Sequence, residues 1–217
     1  MSIAARTTAV GLGGEGATGA PSLPHELSEF AQKRGIVGYG FWIFLLSDIV
    51  MFSTFFAAYA VLVNETAGGP SGRDLFRLDI VAFETAFLLL SSFACGVASI
   101  GARAHRDGMY YGAMAVTALF GAGFLLLEIR EFVFMIAIGA GPQRSAFLSA
   151  FFTLVGCHGL HVTLGLMWLL TMMAQVFAKG YRPDILRRIL CFALFWHTLD
   201  IIWVAIFTVV YLLGVVV

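Results

Sequence analysis

The chain has 217 residues, of which 60% are hydrophobic and 12% are charged, and its charges balance to a net charge of zero. Its mean hydropathy is +0.91. A water-soluble domain must cover its surface with polar side chains, and this chain has too few of them. The composition therefore excludes a water-soluble domain and places the chain in a lipid bilayer. We expect membrane phospholipids around it and no nucleic-acid partner.

Residues 1–35 differ in composition from the rest of the chain. The stretch "GLGGEGATGAPSLP" is dense in glycine and has no apolar periodicity. It also lacks the continuous apolar core of a secretory signal. We therefore predict a flexible cytoplasmic tail over residues 1–35.

Five apolar runs follow the tail, each near the 20 residues that a helix needs to cross a bilayer. They are separated by the turn "NETAGGPSGRD", a charged loop, "GAGPQR" and "AKGYRPDILRR". The predicted fold is all-α, an integral membrane bundle of five transmembrane helices in a domain covering residues 36–217. The predicted spans are 37–63, 80–101, 110–138, 146–177 and 189–213.

The basic residues predict the orientation, because loops rich in Lys and Arg remain on the cytoplasmic side. If the N-terminus is inside, the inner segments hold nine of the 13 basic residues and the outer segments hold three: Arg73, Arg77 and Arg144. Arg130 falls within the third span. The sequence therefore predicts a cytoplasmic N-terminus and a periplasmic C-terminus. Arg182, Arg187 and Arg188, on an inner loop, are topology signals or contacts to anionic lipid headgroups.

Ionisable residues inside the predicted spans identify the candidate site, since each is costly at bilayer depth unless it is paired, protonated or hydrated. Three pairs are spaced three residues apart, so each pair projects from one helix face. These faces should point into the bundle or towards a partner. The buried polar network predicted in this way is formed by Asp48, Glu84, Glu128, Glu131, His158, His161, His197 and Asp200.

The residues leave three interpretations of this network open: a bound metal or haem, a structural hydrogen-bonded network, or a path for protons. A metal site in a helix bundle needs several ligands at one depth, such as Glu with ExxH pairs. The chain has HxxH and ExxE but no ExxH, and its three cysteines have no CxxC spacing. The structural interpretation predicts that Glu128 or Glu131 lies within hydrogen-bonding reach of His158 or His161, directly or through one water.

Several stretches in order resemble subunit III of the haem-copper respiratory oxidases, most closely the five-helix subunit III of the cytochrome o type ubiquinol oxidases. They include "GFWIFLLSDIVMFSTFFAAYAVLVNETAGGPSGRDLF", "FETAFLLLSS", "LFGAGFLLLEIREF", "GPQRSAFLSAFFTLVGCHGLHVTLGLMW" and "LFWHTLDIIWVAIFTVVYLLG". The resemblance runs from about residue 38 to the end of the chain.

This resemblance implies a subunit with no catalytic centre, haem or copper of its own. In that family the haem and copper belong to subunit I, which takes electrons from quinol and reduces oxygen to water. Subunit III supports assembly, lipid binding and proton uptake of the catalytic subunit, in the bacterial inner membrane. Asp48 matches a buried acidic position of the family that is often glutamate, and Glu84 matches a second family carboxylate.

Two other classes compete with this expectation. An autonomous transporter or proton channel is disfavoured because no predicted span is broken by a proline at mid-depth and no inverted repeat is visible. A membrane-embedded metalloenzyme lacks the ligand patterns described above. If Asp48 is charged and paired in the fold, the sequence indicates His197, at similar depth, as the first partner to look for.

Overall fold

The protein is described from a computed structural model, which covers residues 25–216. Throughout that range the chain is helical apart from short connections. Five stretches of the described residues are long and apolar enough to cross a membrane, so the predicted all-helical, multi-pass fold is confirmed. These stretches are Gly38–Leu62, Leu78–Arg103, Asp107–Ala137, Ala146–Lys179 and Pro183–Val215.

The spanning helices agree with the predicted runs within a few residues, except at the start of the first and the last. The first helix begins at His25, so residues 25–35 of the predicted tail are helical, and residues 1–24 lie outside the described range. The last begins at Pro183, six residues before the predicted 189. The elements are α1 (His25–Leu62), α2 (Gly72–Leu75), α3 (Leu78–Arg103), α4 (Asp107–Ala137), α5 (Ala146–Lys179), α6 (Pro183–Ile206), a π-helical segment (Phe207–Leu212) and α7 (Leu213–Val216).

Local chemistry explains where these helices begin and end. The Ser145 side chain caps α5 by accepting a hydrogen bond from the Leu148 amide at 3.2 Å. Gly180 follows α5 at φ 70°, a left-handed conformation that favours glycine, and Pro183 begins α6, where its missing amide hydrogen costs nothing.

The chain divides into two units, Met1–Tyr39 and a compact unit from Gly40 onwards. Of the first unit, the structure describes only the helix that begins at His25. The packing below concerns the second unit.

Helices α3 to α6 meet around one tryptophan. Trp196 of α6 is 1% exposed, and its indole nitrogen donates to the Ser91 hydroxyl of α3 at 3.1 Å. Glycines make the space for its ring: a Cβ atom on Gly121 of α4 would lie 2.9 Å from the indole, and one on Gly165 of α5 would lie 2.8 Å from it. Small residues thus allow four helices to approach closely, as is common where membrane helices pack.

Helix α1 is attached to this core mainly through aromatic rings. Its Phe41, Phe52 and Tyr59 each pack against a ring of α5, with ring centroids 5.3–6.0 Å apart at the closest of these contacts. The Tyr59 hydroxyl also donates to the Val210 carbonyl at 3.3 Å. The remainder of α1 is covered sparsely, with large apolar side chains exposed along it: Trp42, Ile43, Phe44, Leu46, Ile49, Val50 and Val61.

Candidate functional site

Three carboxyl groups of the predicted network lie together between α3 and α4. Glu84 is fully buried, Glu128 is 2% exposed and Glu131 is half-buried. The three are close enough to interact electrostatically. The Tyr211 hydroxyl, which is completely buried in the π-helical segment, donates to Glu131 Oε2 at 3.3 Å. We call Glu84, Glu128, Glu131 and Tyr211 the carboxyl cluster.

The carboxyl cluster reaches α5 at a glycine. A Cβ atom on Gly159 would lie 2.5 Å from Glu128 Oε1, so this position has room for the carboxyl group only because it is glycine. The Glu84 oxygens and Glu128 Oε2 have no hydrogen-bond partner among the described residues. Such buried polar atoms are rare in folded proteins, and they mark this part of the bundle as a polar site.

His158 lies beside Gly159 in an aromatic cage. Its ring stacks on Trp203 with centroids 5.2 Å apart and meets the edge of Phe124 at 5.8 Å. Within the described chain neither of its ring nitrogens has a hydrogen-bond partner.

No direct hydrogen bond joins Glu128 or Glu131 to His158 or His161 among the described residues, and a contact through one water stays a prediction. Glu131 accepts from Tyr211, and the Nδ1–H of His161 donates to its own helix at the Cys157 carbonyl, 2.8 Å away. A backbone carbonyl four residues earlier is the nearest acceptor for a side chain on a helix, so it competes effectively with a carboxylate on another helix.

Asp48 of α1 faces α5 rather than α6. It is half-buried and lies close enough to His161 and Cys157 to interact with both electrostatically. The sequence-based choice of His197 as its first partner is therefore wrong. The Phe52 ring packs 5.3 Å from the His161 ring, so α1 brings both an apolar and an acidic side chain to that imidazole.

His197 belongs to a different polar group. Its Nδ1 lies 2.7 Å from the Ser92 hydroxyl of α3 and 3.8 Å from Asp200 Oδ2 on the next turn of α6. Serine and aspartate approach the same ring nitrogen, so the three residues do not form the relay of a hydrolase, in which the two groups use opposite nitrogens. Asp200 is 5% exposed, and its carboxyl oxygens have no hydrogen-bond partner among the described residues.

Metal ligands do not converge in the part of the chain that the structure describes. No group of three or more His, Cys, Asp or Glu residues there is placed to hold a metal ion. Cys95 is buried, Cys157 and Cys191 are half-buried, and all three are free thiols.

The predicted lipid-contacting arginines lie at the connection from α5 to α6. Arg182 is exposed and forms a 3.5 Å ion pair with Asp184, which caps the start of α6 electrostatically. Arg188 is also exposed and donates to Gln175 Oε1 at 3.0 Å, while Arg187 is half-buried.

The sequence of the chain matches the family described as Cytochrome c oxidase subunit III over residues 25–215. The chain belongs to this family. It is 54% identical over 176 residues to the cytochrome bo(3) ubiquinol oxidase subunit 3 of Pseudomonas putida, covering 81% of this chain and 85% of the relative. Identity to the protein of the same name from Pseudomonas aeruginosa is 50% over 190 residues, 88% of this chain and 91% of the relative. The cytochrome c oxidase subunit 3 of Bacillus sp. PS3 is 42% identical over 200 residues, 90% and 94% of the two chains.

In this subunit III chain, the sequence pointed to the ionisable residues of the polar groups but missed their neutral partners. Tyr211 and Ser92 bond across helices to Glu131 and His197, and next to Ser92 the Ser91 hydroxyl accepts from Trp196 and donates to the Thr117 carbonyl at 3.0 Å. Hydroxyl groups are common in membrane helices and often bond to their own backbone, so nothing in one sequence separates these residues from the others.

Proposed function

We propose that the chain is the non-redox subunit III of a proton-pumping ubiquinol oxidase that reduces oxygen to water in aerobic respiration. The observation that carries this proposal is the 50–54% identity, over most of both chains, to two relatives named as subunit 3 of a bo(3) ubiquinol oxidase. Both of these relatives are named for ubiquinol, which favours quinol as the electron donor; a relative named for cytochrome c is 42% identical, as are more distant relatives named for ubiquinol. An autonomous transporter or proton channel does not fit this family.

In this proposal the haem and copper belong to a partner, subunit I, and the chain contributes structure, lipid binding and support for proton uptake. The names of the relatives, each a numbered subunit of an oxidase, support a partner, and the exposed apolar face of α1 with Trp42, Leu46 and Val50 is open to a partner or to lipid. The chain would lie in the bacterial inner membrane with its N-terminus in the cytoplasm, as the distribution of basic residues favours.

The polar groups serve the fold in this proposal rather than electron transfer. Tyr211 to Glu131 and Ser92 with His197 are hydrogen bonds between helices, whereas His158 and Asp48 reach other helices through ring and electrostatic contacts. Hydrogen bonds across membrane helices contribute about 0.6–2 kcal/mol each, so together they fix the register of the bundle. We further propose that Arg182, Arg187 and Arg188 contact anionic lipid headgroups on the cytoplasmic side.

Purification with an affinity tag on this chain tests the proposal. We expect haem-bearing subunits to copurify, and the complex to consume oxygen with a reduced ubiquinol analogue but not with reduced cytochrome c. Oxygen uptake with cytochrome c alone would contradict the choice of donor, and an isolated chain that carries its own metal would contradict the non-redox role.

Thermal unfolding in detergent tests the dependence on partners separately. The chain within the complex should unfold at a higher temperature than the isolated chain, because a bound partner stabilises the folded state by mass action. Equal midpoints would contradict an obligate subunit.

A further inference from the structure

His197 presents a polar group at the surface of α6 that its own chain covers only in part. The side chain is 42% exposed. One ring nitrogen, Nδ1, lies 2.7 Å from the Ser92 hydroxyl of α3. The other, Nε2, forms no hydrogen bond within the part of the chain that the structure describes. The imidazole is therefore held on one side and open on the other.

The depth of His197 makes this exposure costly. The last span, Pro183–Val215, has its midpoint at Leu199, so with the span centred in the bilayer His197 lies about 3 Å from the midplane at a rise of 1.5 Å per residue. Ser92 lies within two residues of the midpoint of Leu78–Arg103. The hydrocarbon extends about 15 Å from the midplane, so lipid headgroups lie far from this depth. Lipid alone would leave Nε2 without a hydrogen bond, at a cost in free energy.

The surface around His197 suits a second helix. Gly96 lies one turn after Ser92 on α3, and a Cβ atom there would meet nothing within 4 Å. Apolar side chains flank the two polar residues and are exposed, Leu89 of α3 at 49% and Ile201 of α6 at 71%. Small residues let membrane helices approach closely, and hydrogen bonds between side chains then stabilise the contact. A helix lying here would cover the imidazole and the apolar side chains together.

The neighbours of His197 prepare the imidazole for such a contact. Ser92 is bonded to Nδ1, and Asp200 Oδ2 lies 3.8 Å from the same nitrogen. A contact at one ring nitrogen sets the orientation of the ring and the role of the other nitrogen. A side chain that is already ordered loses less conformational freedom when it binds, so a bond at Nε2 costs less.

We propose that His197 Nε2 forms a hydrogen bond with a polar side chain on a transmembrane helix of another subunit, which packs against α3 and α6 at mid-depth. The partner side chain is an amide, a hydroxyl or a carboxyl group. A partner helix is available in the proposed function, on which this inference rests, since the relatives are named as numbered subunits of an oxidase. Acyl chains would cover Leu89 and Ile201 but offer nothing to the imidazole.

Substitutions of His197 test the hydrogen bond in the purified complex. The amide nitrogen of glutamine lies near the Nε2 position of histidine, and that of asparagine lies near the Nδ1 position. We therefore expect His197→Gln to keep the partner. His197→Asn and His197→Leu should raise the rate at which this chain dissociates from the complex in detergent about three- to tenfold.

Thr198→Val is the matched control for these variants. The Thr198 hydroxyl donates to the Leu194 carbonyl of its own helix at 2.8 Å, so its removal should leave the dissociation rate unchanged. His197→Asn keeps the contact with Ser92, so the isolated variant chain should unfold at the same temperature as the unsubstituted chain. Equal dissociation rates in His197→Leu and Thr198→Val would overturn the proposal. Equal rates in His197→Gln and His197→Leu would also overturn it, because His197 would then act only within its own chain.

Photo-cross-linking in native membranes identifies the occupant of this surface. A photoreactive phenylalanine analogue replaces Leu89 in one variant and Ile201 in another. We expect both to cross-link to one transmembrane peptide of another subunit that contains a polar residue. Cross-links only to lipid, or to a second copy of this chain, would overturn the proposal. Failure of any subunit to copurify with the unsubstituted chain would instead contradict the proposed function, and this inference with it.

Discussion

Helices α1 and α6 differ more than any sequence pattern suggests, although the membrane-spanning part of each is apolar. Of the most apolar 18-residue stretch of each span, 11% is buried in the first and 39% in the last. Helix α6 directs Trp196 and Trp203 into the bundle, whereas α1 leaves Trp42 53% exposed.

The difference shows that hydrophobicity does not report burial in a membrane protein. Lipid accepts an apolar side chain as readily as a protein core does, so close packing and polar contacts decide which faces meet. The exposed hydroxyls of α1 fit this explanation, because Ser53 and Thr54 donate to carbonyls of their own helix at 2.7 and 2.6 Å and need no partner.

The largest expected effect comes from truncating the tryptophan at the centre of the α6 side of this comparison. Trp196→Ala should lower the free energy of unfolding by about 3–5 kcal/mol, because it opens a cavity among four helices. The matched variant Trp42→Ala, on α1, should change the stability of the isolated chain little. Thermal unfolding of both variants in detergent measures the difference. Similar shifts in the two would show that α1 and α6 are equally well packed.

Five spans could be predicted from the sequence because apolar length alone defines them. The contacts between them could not. The spacing of His158 and His161 predicts that both project from one face of α5, yet one is caged by aromatic rings and the other bonds to a carbonyl of its own helix. The direction of a helix face depends on how the helices pack, and a single sequence does not contain the crossing angles.

The same limit explains the glycines and the π-helical segment. In the sequence, Gly159 is one small residue among many. Its role follows only from the carboxyl group of Glu128 on the neighbouring helix α4. The π-helical turns at Phe207–Leu212 accompany the placement of Tyr211 towards Glu131, and no residue in "FTVVYL" predicts them. π-Helical turns are frequent at functional sites, but they are recognised from backbone geometry.

The second effect concerns the tight approach of α4 and α5 at the carboxyl cluster. Gly159→Ala should destabilise the chain by about 1–3 kcal/mol, because the added methyl group would overlap the Glu128 carboxyl group. Gly156→Ala is the control, since its Cβ atom would meet only the Phe132 ring, at an ordinary 3.5 Å.

A double-mutant cycle identifies the cause of this effect. Adding Glu128→Ser to Gly159→Ala should recover part of the loss, since the shorter side chain clears the space. Additive losses in the double variant would show that the methyl group meets something other than Glu128.

A smaller effect should follow from removing the hydroxyl group that reaches the carboxyl cluster. Tyr211→Phe should cost about 1–2 kcal/mol, because Glu131 loses its donor in a buried setting. Tyr110→Phe is a close control: that hydroxyl is also buried but has no hydrogen-bond partner among the described residues. Denaturation of both variants compares them directly. Equal losses would mean that the Tyr211 hydrogen bond adds nothing to stability.

The smallest effect is expected on the α1 side, at Asp48. Asp48→Asn should preserve the helix, the complex and the haem spectrum, with at most a partial loss of sustained turnover, because asparagine keeps the shape and can still donate a hydrogen bond. Purified complexes are compared by haem absorption and by prolonged oxygen uptake, with Ser47→Ala as the control on the neighbouring exposed position.

Loss of haem or copper from an intact complex would contradict the non-redox role of the chain. Collapse of assembly would instead show that Asp48 is charged and paired, and since Asp48 faces α5 its partner would be His161. His161→Gln should then cause the same collapse, whereas His197→Gln, at the Ser92 and Asp200 site of α6, should not.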